Sequence, residues 1–289
     1  HRPSYPQKSS HYERNIMNSS TLEQIRAASP LVHCITNYVT VNDVANVLLA
    51  IGARPIMADD PEEVEEITAL CAGLCLNIGT LNARTIPSML AAGKHARSLG
   101  HPVVLDPVGA GASRLRTETA LRILDEVHPT VIRGNISEIR TLAVGSGTTQ
   151  GVDANAAEAV TEETLAATAD FLRGFAARAE AIIAVTGAID LVTDGVTTYV
   201  VRNGRAEMGR VTGTGCQLSA LLAAALAVEP LGLLASVAET VALMGVAGEI
   251  AWAQMGERDG NAAYRTRIID AIYRMTGEEL DARMNITKL

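Results

Sequence analysis

A run of small residues opens an apolar helix late in the sequence, and a thiol lies in the first turn of that helix. The run reads VTGTGC (211–216) and continues into an Ala- and Leu-rich segment. Unpaired N–H groups and the helix dipole converge at such a start, so Gly213, Thr214 and Gly215 are predicted to hold a phosphate or a developing oxyanion. An ordinary glycine-rich helix start is the alternative. The run is neither a Walker A loop nor a dinucleotide fingerprint, because it lacks the Gly-Lys-Ser/Thr of the first and the third glycine of the second.

Four roles are open to Cys216: nucleophile, base, metal ligand or packing. Cysteine hydrolases pair the thiol with a histidine. No histidine is placed to serve Cys216, so a nucleophilic role is disfavoured. A thiol at a helix N-terminus is expected to have a lowered pKa, which leaves some thiolate available.

Polar and glycine residues follow six predicted strands. Ligands of open α/β sheets bind beyond the carboxyl ends of the strands, so these residues are candidates for a site. Turn chemistry explains any one of them, whereas six together favour a site. They are Thr36-Asn37, Met57-Ala58-Asp59, Asn77-Ile78-Gly79-Thr80, Asp106-Pro107-Val108-Gly109, Arg133-Gly134-Asn135 and Thr186-Gly187.

Carboxylates among these strand ends suit a magnesium site. Asp106, followed by Pro and a glycine loop, fits Mg²⁺, which takes few carboxylates and keeps most of its waters; an Asp-Pro turn is the alternative. Glu138, three residues after Asn135, can reach a metal-bound water that Asn135 orients. By spacing alone, however, a helix-capping box is favoured for this pair. Thr186, which follows a buried strand, can contact a nucleotide phosphate.

The elements that position these residues alternate between strand and helix. The strand segments are near-continuously apolar, as a parallel sheet covered on both faces requires. The sequence therefore predicts an α/β fold in a single domain over residues 18–289, with a mainly parallel central sheet, helices on both faces and an edge hairpin. Residues 1–17 are expected to be a disordered leader or added segment. Asp60 and Pro61 are predicted to begin a helix.

Composition excludes several classes of protein. A net charge of -8 with 3% aromatic residues disfavours a nucleic-acid binder. No segment is predicted to span or bind a membrane. The four cysteines have no zinc-site spacing and are expected to be reduced thiols of a cytoplasmic protein.

Taken together and in order, these motifs resemble hydroxyethylthiazole kinase, a thiamine-pathway family of the ribokinase-like superfamily. The resemblance covers roughly residues 20–280. It is carried by HCITNYVTVNDVANVLLAIGARPIMADDPEEVEEI, LNIGTL, VVLDPVGAGAS, IRGNISEI, AVTGAIDLVTDG and VTGTGCQLSALLAA. The segments CITN and GTGCQLSA point to this kinase within the superfamily.

The resemblance implies Mg-ATP-dependent phosphorylation of the hydroxyl of 4-methyl-5-(2-hydroxyethyl)thiazole, in a homotrimer with its sites at subunit interfaces. It implies that Met57 and Gly213 contact the thiazole, whose pocket Thr36 and Asn37 line. It implies that Arg133 and Thr186 contact ATP. It also implies that Asp106 and Glu138 hold Mg²⁺, with Asn135 supporting them. Cys216 would occupy the position where related kinases carry an Asp base. It would therefore lie against the substrate hydroxyl and assist modestly.

Three other functions stay open on the sequence. A kinase of hydroxymethylpyrimidine or another small alcohol is one, and the cysteine in place of Asp speaks against it. An ATP-dependent dehydratase of hydrated NAD(P)H shares the fold and the glycine anion hole. A non-enzymatic nucleotide-binding or assembly protein is the third.

Overall fold

A computed structural model describes residues 20–145, 159–228 and 232–289 of the chain. The prediction for residues 1–17 lies outside these ranges, and so does most of the loop predicted after residue 144.

One nine-stranded sheet forms the centre of the described chain, in the order β2-β1-β3-β4-β5-β6-β7-β8-β9. The first six strands are parallel, and β7, β8 and β9 follow β6 with each strand antiparallel to the one before it. The strands are β1 (Leu31–Ile35), β2 (Arg54–Met57), β3 (Gly73–Asn77), β4 (Val103–Asp106), β5 (Val131–Gly134), β6 (Ile182–Val185), β7 (Asp190–Thr193), β8 (Thr198–Val201) and β9 (Ile286–Lys288).

Helices connect the strands. They are α1 (Ser20–Ala28), α2 (Val41–Ile51), α3 (Val64–Leu70), α4 (Thr85–Ser98), α5 (Arg114–Val127), α6 (Ile136–Gly145), α7 (Leu165–Ala179), α8 (Thr214–Val228), α9 (Leu233–Ala253), α10 (Asn261–Arg274) and α11 (Gly277–Arg283).

Two apolar cores lie on opposite faces of the sheet. One joins the sheet to α1, α2, α8, α9 and α10, and the other joins it to α4, α5, α6 and α7. Helix α8 packs directly on β1, β3 and β4, and every residue from Cys216 to Leu226 is buried, because this helix is apolar all round. The predicted α/β class, with a mainly parallel sheet covered on both faces, is confirmed.

Three predictions about elements need correction. Helix α3 begins at Val64, because Asp60 forms a tight turn with the backbone N–H groups of Glu62 and Glu63 before the helix starts. The hairpin β7–β8 is not at the sheet edge, since β9 pairs with β8 outside it. Helix α11 and strand β9 have no counterpart in the sequence prediction.

Helix α9 has the length and apolarity of a membrane-spanning helix, yet 72% of its most apolar window is buried within the protein. Its side chains pack on α8, α10 and β7. Burial in the core accounts for its composition.

Candidate active site

A continuous chain of hydrogen bonds links side chains at the carboxyl ends of five adjacent strands. Asn37 Nδ2 donates to Asn77 Oδ1 (3.0 Å), and Asn77 Nδ2 donates to Asp106 Oδ2 (3.0 Å). Arg133 Nη1 donates to the same Asp106 oxygen (3.0 Å), and Arg133 Nη2 donates to Thr186 Oγ1 (3.0 Å). Because parallel strands end at one edge of the sheet, residues scattered along the sequence meet in one row.

Helix α8 begins directly over this row. Asn37 Nδ2 also donates to Cys216 Sγ (3.3 Å), and Ser219 Oγ, one turn further along α8, donates to Asp106 Oδ2 (2.8 Å). The backbone N–H groups of Thr214 and Gly215 lie in the first turn of α8, where no helical acceptor precedes them. The structure thus brings Cys216, Asn37, Asp106 and the glycine run together.

Two glycines permit the approach of α8 to the strand ends. Gly213 has a φ of +88°, and a Cβ there would lie 2.4 Å from Thr40 Cγ2. A Cβ at Gly215 would lie 2.5 Å from Arg133 Nη2. The second glycine therefore lets the guanidinium pack against the helix start.

Asp106 and Arg133 form a buried ion pair. Their side chains are 0% and 9% exposed. Burial raises the pKa of Asp106, and the charge of Glu138 raises it further, whereas Arg133 and Ser219 oppose the rise. Asp106 Oδ1 and Arg133 Nε have no hydrogen-bond partner within the described residues. Buried polar atoms without partners are rare, so these two atoms are candidates for contact with a ligand, an ion or water.

The pKa prediction for the thiol is wrong. Burial raises the pKa of Cys216, and the neighbouring charge of Asp106 raises it further. Hydrogen bonds from Thr40, Asn77 and Asn37 act in the opposite direction but do not overcome burial. A buried thiol loses more solvation than the helix N-terminus returns, and this loss cannot be seen from the position of Cys216 in the sequence.

Glu138 and Asn135 form the capping box that their spacing favours. Asn135 N–H donates to Glu138 Oε2 (2.9 Å), and Glu138 N–H donates to Asn135 Oδ1 (2.9 Å). The other Glu138 oxygen accepts from Gly109 N–H (2.9 Å) in the loop after β4. The cap therefore also fixes the Asp106 loop, and its carboxylate faces Asp106 closely enough to raise that pKa.

The remaining predicted residues lie near the row without joining it. Met57, at the end of β2, is half-buried and packs on the core. The hydroxyl of Thr36 is buried and has no partner within the described residues.

Two residues that build the site, Asn77 and Arg116, have no role predicted from the sequence. Asn77 stood among the strand-end candidates, but only the structure shows that it bridges Asn37 and Asp106. Arg116 Nη2 donates to Gly79 O (2.7 Å) and Nη1 to Val108 O (3.3 Å), which ties the loops after β3 and β4 together. A lone arginine in a surface helix gives no signal of this role.

A cavity of about 530 Å³ opens beside the Arg133 end of the row. The loop 203–209 and helix α9 form its far wall. Asp190 lies at its back, where burial raises the pKa of the carboxyl to about 7, and it accepts from Gly187 N–H (2.8 Å). Polar groups from the site and two methionines line the cavity: Arg133, Thr186, Thr214, Gly215, Met208 and Met244.

Metal ligands do not cluster densely in this region. In the part of the chain that the structure describes, no group of three or more His, Cys, Asp or Glu side chains is arranged to hold a metal ion. All four cysteines are free and buried.

Known proteins are similar to this chain over almost its whole length. The profile of the hydroxyethylthiazole kinase family matches residues 22–278. Hydroxyethylthiazole kinase of Clostridium acetobutylicum is 54% identical over 265 residues, which cover 92% of this chain and 97% of the relative. The solved structure of the hydroxyethylthiazole kinase protein from Pyrococcus horikoshii OT3 has a TM-score of 0.83 and 35% identity, and the match covers 93% of this chain and 98% of that one. The pyridoxal kinase from Staphylococcus aureus in complex with ADP has a TM-score of 0.59 at 15% identity, covering 90% and 98% of the two chains, and is similar in fold alone.

Proposed function

Because this chain belongs to the hydroxyethylthiazole kinase family, we propose that it transfers the γ-phosphoryl group of ATP to the hydroxyl of 4-methyl-5-(2-hydroxyethyl)thiazole. The product is the thiazole phosphate used in thiamine synthesis. One observation carries the mechanism: the N-terminus of α8 lies between a nucleotide-sized cavity on one side and Cys216 with Asn37 on the other.

The cavity suits ATP. Its volume, about 530 Å³, is in the range of small-molecule sites. Leu218, Val241, Met244 and Met208 give it an apolar wall for the base. Arg133 and Thr186 line the end nearest the sheet, where the phosphates would lie.

Phosphoryl transfer asks a protein mainly for positioning and charge stabilisation. The N–H groups of Thr214, Gly215 and Cys216 would bind the oxygens of the transferring group. The guanidinium of Arg133 would offset their charge. Cys216 would contact the acceptor hydroxyl, and its thiolate form would accept the hydroxyl proton late in the transfer, because a loose transition state leaves that proton in place until then. Burial raises the pKa of the thiol, so little thiolate is present and the assistance is modest.

The acidic groups fit a magnesium ion. Asp106 retains a buried oxygen without a partner, and the Glu138 carboxylate is near enough to raise the pKa of Asp106. Mg²⁺ is usually bound through one or two carboxylates together with waters and substrate phosphates, so two neighbouring carboxylates are enough. When bound, the ion would neutralise charge on the β- and γ-phosphates. Asp106 and Glu138 would hold it, and Asn135 would keep Glu138 in place through the capping box.

The thiazole pocket is expected beyond Cys216, towards Asn37, Thr36, Gly213 and Met57. We also propose that the protein is a cytoplasmic homotrimer whose sites lie at subunit interfaces. Tyr38 and Val39 follow Asn37 directly and are 78% and 60% exposed, which supports a contact between subunits there. Light scattering on the purified protein tests this, and a monomeric mass contradicts it.

A coupled ADP-release assay tests the activity. Purified protein with ATP and Mg²⁺ is measured with the thiazole alcohol, with hydroxymethylpyrimidine, with hydrated NADH or with no acceptor. We expect stimulation by the thiazole alcohol, with the phosphorylated alcohol identified by mass spectrometry. Stimulation by either other compound but not by the thiazole alcohol contradicts the proposal, and ATP binding without any transfer would identify a nucleotide-binding protein.

A further inference from the structure

Asn77 is a buried link in the row of hydrogen bonds, between Asn37 and Asp106, although the proposed reaction gives it no role. Its side chain is 1% exposed. Its amide nitrogen donates to Asp106 Oδ2 (3.0 Å), while its amide oxygen accepts from Asn37 Nδ2 (3.0 Å) and from Gly79 N–H (2.9 Å). Every bond that it makes leads to a residue of the site or to the turn beside it.

The orientation of both amides is fixed by groups that can only donate. The guanidinium of Arg133 has no acceptor, so the Asp106 oxygen it contacts is an acceptor, and Asn77 must present its NH₂ group to that oxygen. At the other end, the backbone N–H of Thr40 donates to Asn37 Oδ1 (3.1 Å). Neither amide can flip without setting donor against donor.

This fixed orientation determines what Cys216 meets. Because Asn37 Oδ1 is held by Thr40, its NH₂ group faces both Asn77 and Cys216 Sγ, which lies 3.3 Å away. The sulfur therefore accepts a hydrogen bond from the protein side. Hydrogen bonds from Thr40 and Asn77 also reach this sulfur, so the network fixes the position of the thiol.

Gly79 shows that the two amides are packed as a unit. A Cβ at Gly79 would lie 3.0 Å from Asn37 Cβ, 3.0 Å from Asn37 Nδ2 and 3.0 Å from Asn77 Oδ1. Its φ is not in the left-handed region, so the backbone itself accepts a side chain there. A methyl group at this position would press on both amides, which would have to shift by a few tenths of an ångström.

We propose that Asn77 is a positioning residue for phosphoryl transfer: it holds the Asn37 amide with its N–H groups towards Cys216 and thereby holds the thiol against the acceptor hydroxyl. Asn77 touches neither substrate and acts through its neighbours. The inference rests on the proposed function, because it assigns the residue to that same transfer.

A double-mutant cycle tests the coupling. Asn77→Ala, Cys216→Ala and the double variant are compared with wild type for kcat and for the KM of each substrate. We expect each single variant to lose about tenfold in kcat, below the range for a dedicated acid or base. The double variant should lose no more than either single one, and the KM for ATP should stay within about twofold of wild type. Losses that multiply, or a wild-type kcat in Asn77→Ala, overturn the proposal.

A second variant disturbs the amides without touching Asp106. Gly79→Ala should lower kcat by a similar factor and should also fail to add to Cys216→Ala. Gly174→Ala, on α7, is the matched control, since a Cβ there meets only Arg178 Nη1 at 3.5 Å. If Asn77→Ala does not fold, as judged by circular dichroism, the cycle with Gly79→Ala decides, and multiplied losses there overturn the proposal. A wild-type protein inactive on the thiazole alcohol contradicts the proposed function instead.

Discussion

Replacing Gly215 by alanine should dislodge Arg133 from the site. A Cβ at this position would lie 2.5 Å from Nη2, 2.6 Å from Nη1 and 2.9 Å from Cζ of that arginine. The backbone angle is not left-handed, so the helix can accept the methyl group, and the guanidinium must move. Its bonds to Asp106, Ser219 and Thr186 (3.0, 3.4 and 3.0 Å) would then be lost or lengthened.

Two opposing effects set the stability change. Breaking a buried ion pair costs about 3–5 kcal/mol. Alanine in place of glycine within a helix returns up to about 1 kcal/mol. The free energy of unfolding should therefore fall by about 2–5 kcal/mol, and the melting temperature by roughly 3–8 °C.

Binding of ATP should weaken as well. A hydrogen bond to a charged group contributes about 1.5–3 kcal/mol, which corresponds to roughly 10- to 150-fold in kcat/KM for ATP. Thermal unfolding and initial-rate kinetics measure the two effects, with Gly174→Ala as the control for an added helix methyl group. If Gly215→Ala equals this control in both measurements, the packing of Arg133 against α8 does not support the site, and the reasoning is refuted.

Three further results are expected. Cys216→Ala should retain activity at about a tenth of the wild-type kcat. Cys216→Asp should match or exceed the wild-type kcat. Loss of all turnover in both variants would contradict a modest role for the thiol. Gly213→Ala should raise the KM for the thiazole alcohol and lower the melting temperature, because φ is +88° and the Cβ would meet Thr40 at 2.4 Å; an unchanged KM would remove Gly213 from the thiazole pocket. Burial raises the pKa of Glu239 from 4.5 to about 7. Since the folded state then holds a proton that the unfolded state has released, the free energy of unfolding of wild type should fall between about pH 5 and pH 7, by up to about 3 kcal/mol relative to Glu239→Gln, in urea titrations. Parallel pH curves for the two proteins would exclude this cause.

Local pattern was enough to predict much of the fold. Apolar β-branched runs separated by helical periodicity gave the six parallel strands, because a sheet buried on both faces leaves little choice of residue type. Strand ends were equally visible, since the carboxyl ends of parallel strands share one edge. The sequence therefore identifies Asn37, Asp106, Arg133 and Thr186 as candidates, and the structure has them in one row.

Burial and contacts between distant segments were not visible in the sequence. The sign of the Cys216 pKa shift depends on desolvation by elements that pack around it. Glu239 on α9 accepts hydrogen bonds from Thr21 N–H (3.4 Å), Thr21 Oγ1 (2.7 Å) and Leu22 N–H (3.3 Å) at the start of α1. No local pattern connects residues so far apart. The same holds for the Asn77 amide, whose orientation is set by Arg133 and Gly79 together.

The row of hydrogen bonds also makes the activity a reporter of complete folding. Its members come from the turn after β1, from β3, β4 and β5, from the turn after β6 and from α8, so no segment shorter than residues 37–219 contains them. A slip of one residue in any strand would turn its side chains to the other face and break the row. Helices form within microseconds, whereas parallel pairing of distant strands is slow. During refolding from urea, the helical circular dichroism signal should therefore return well before kinase activity does.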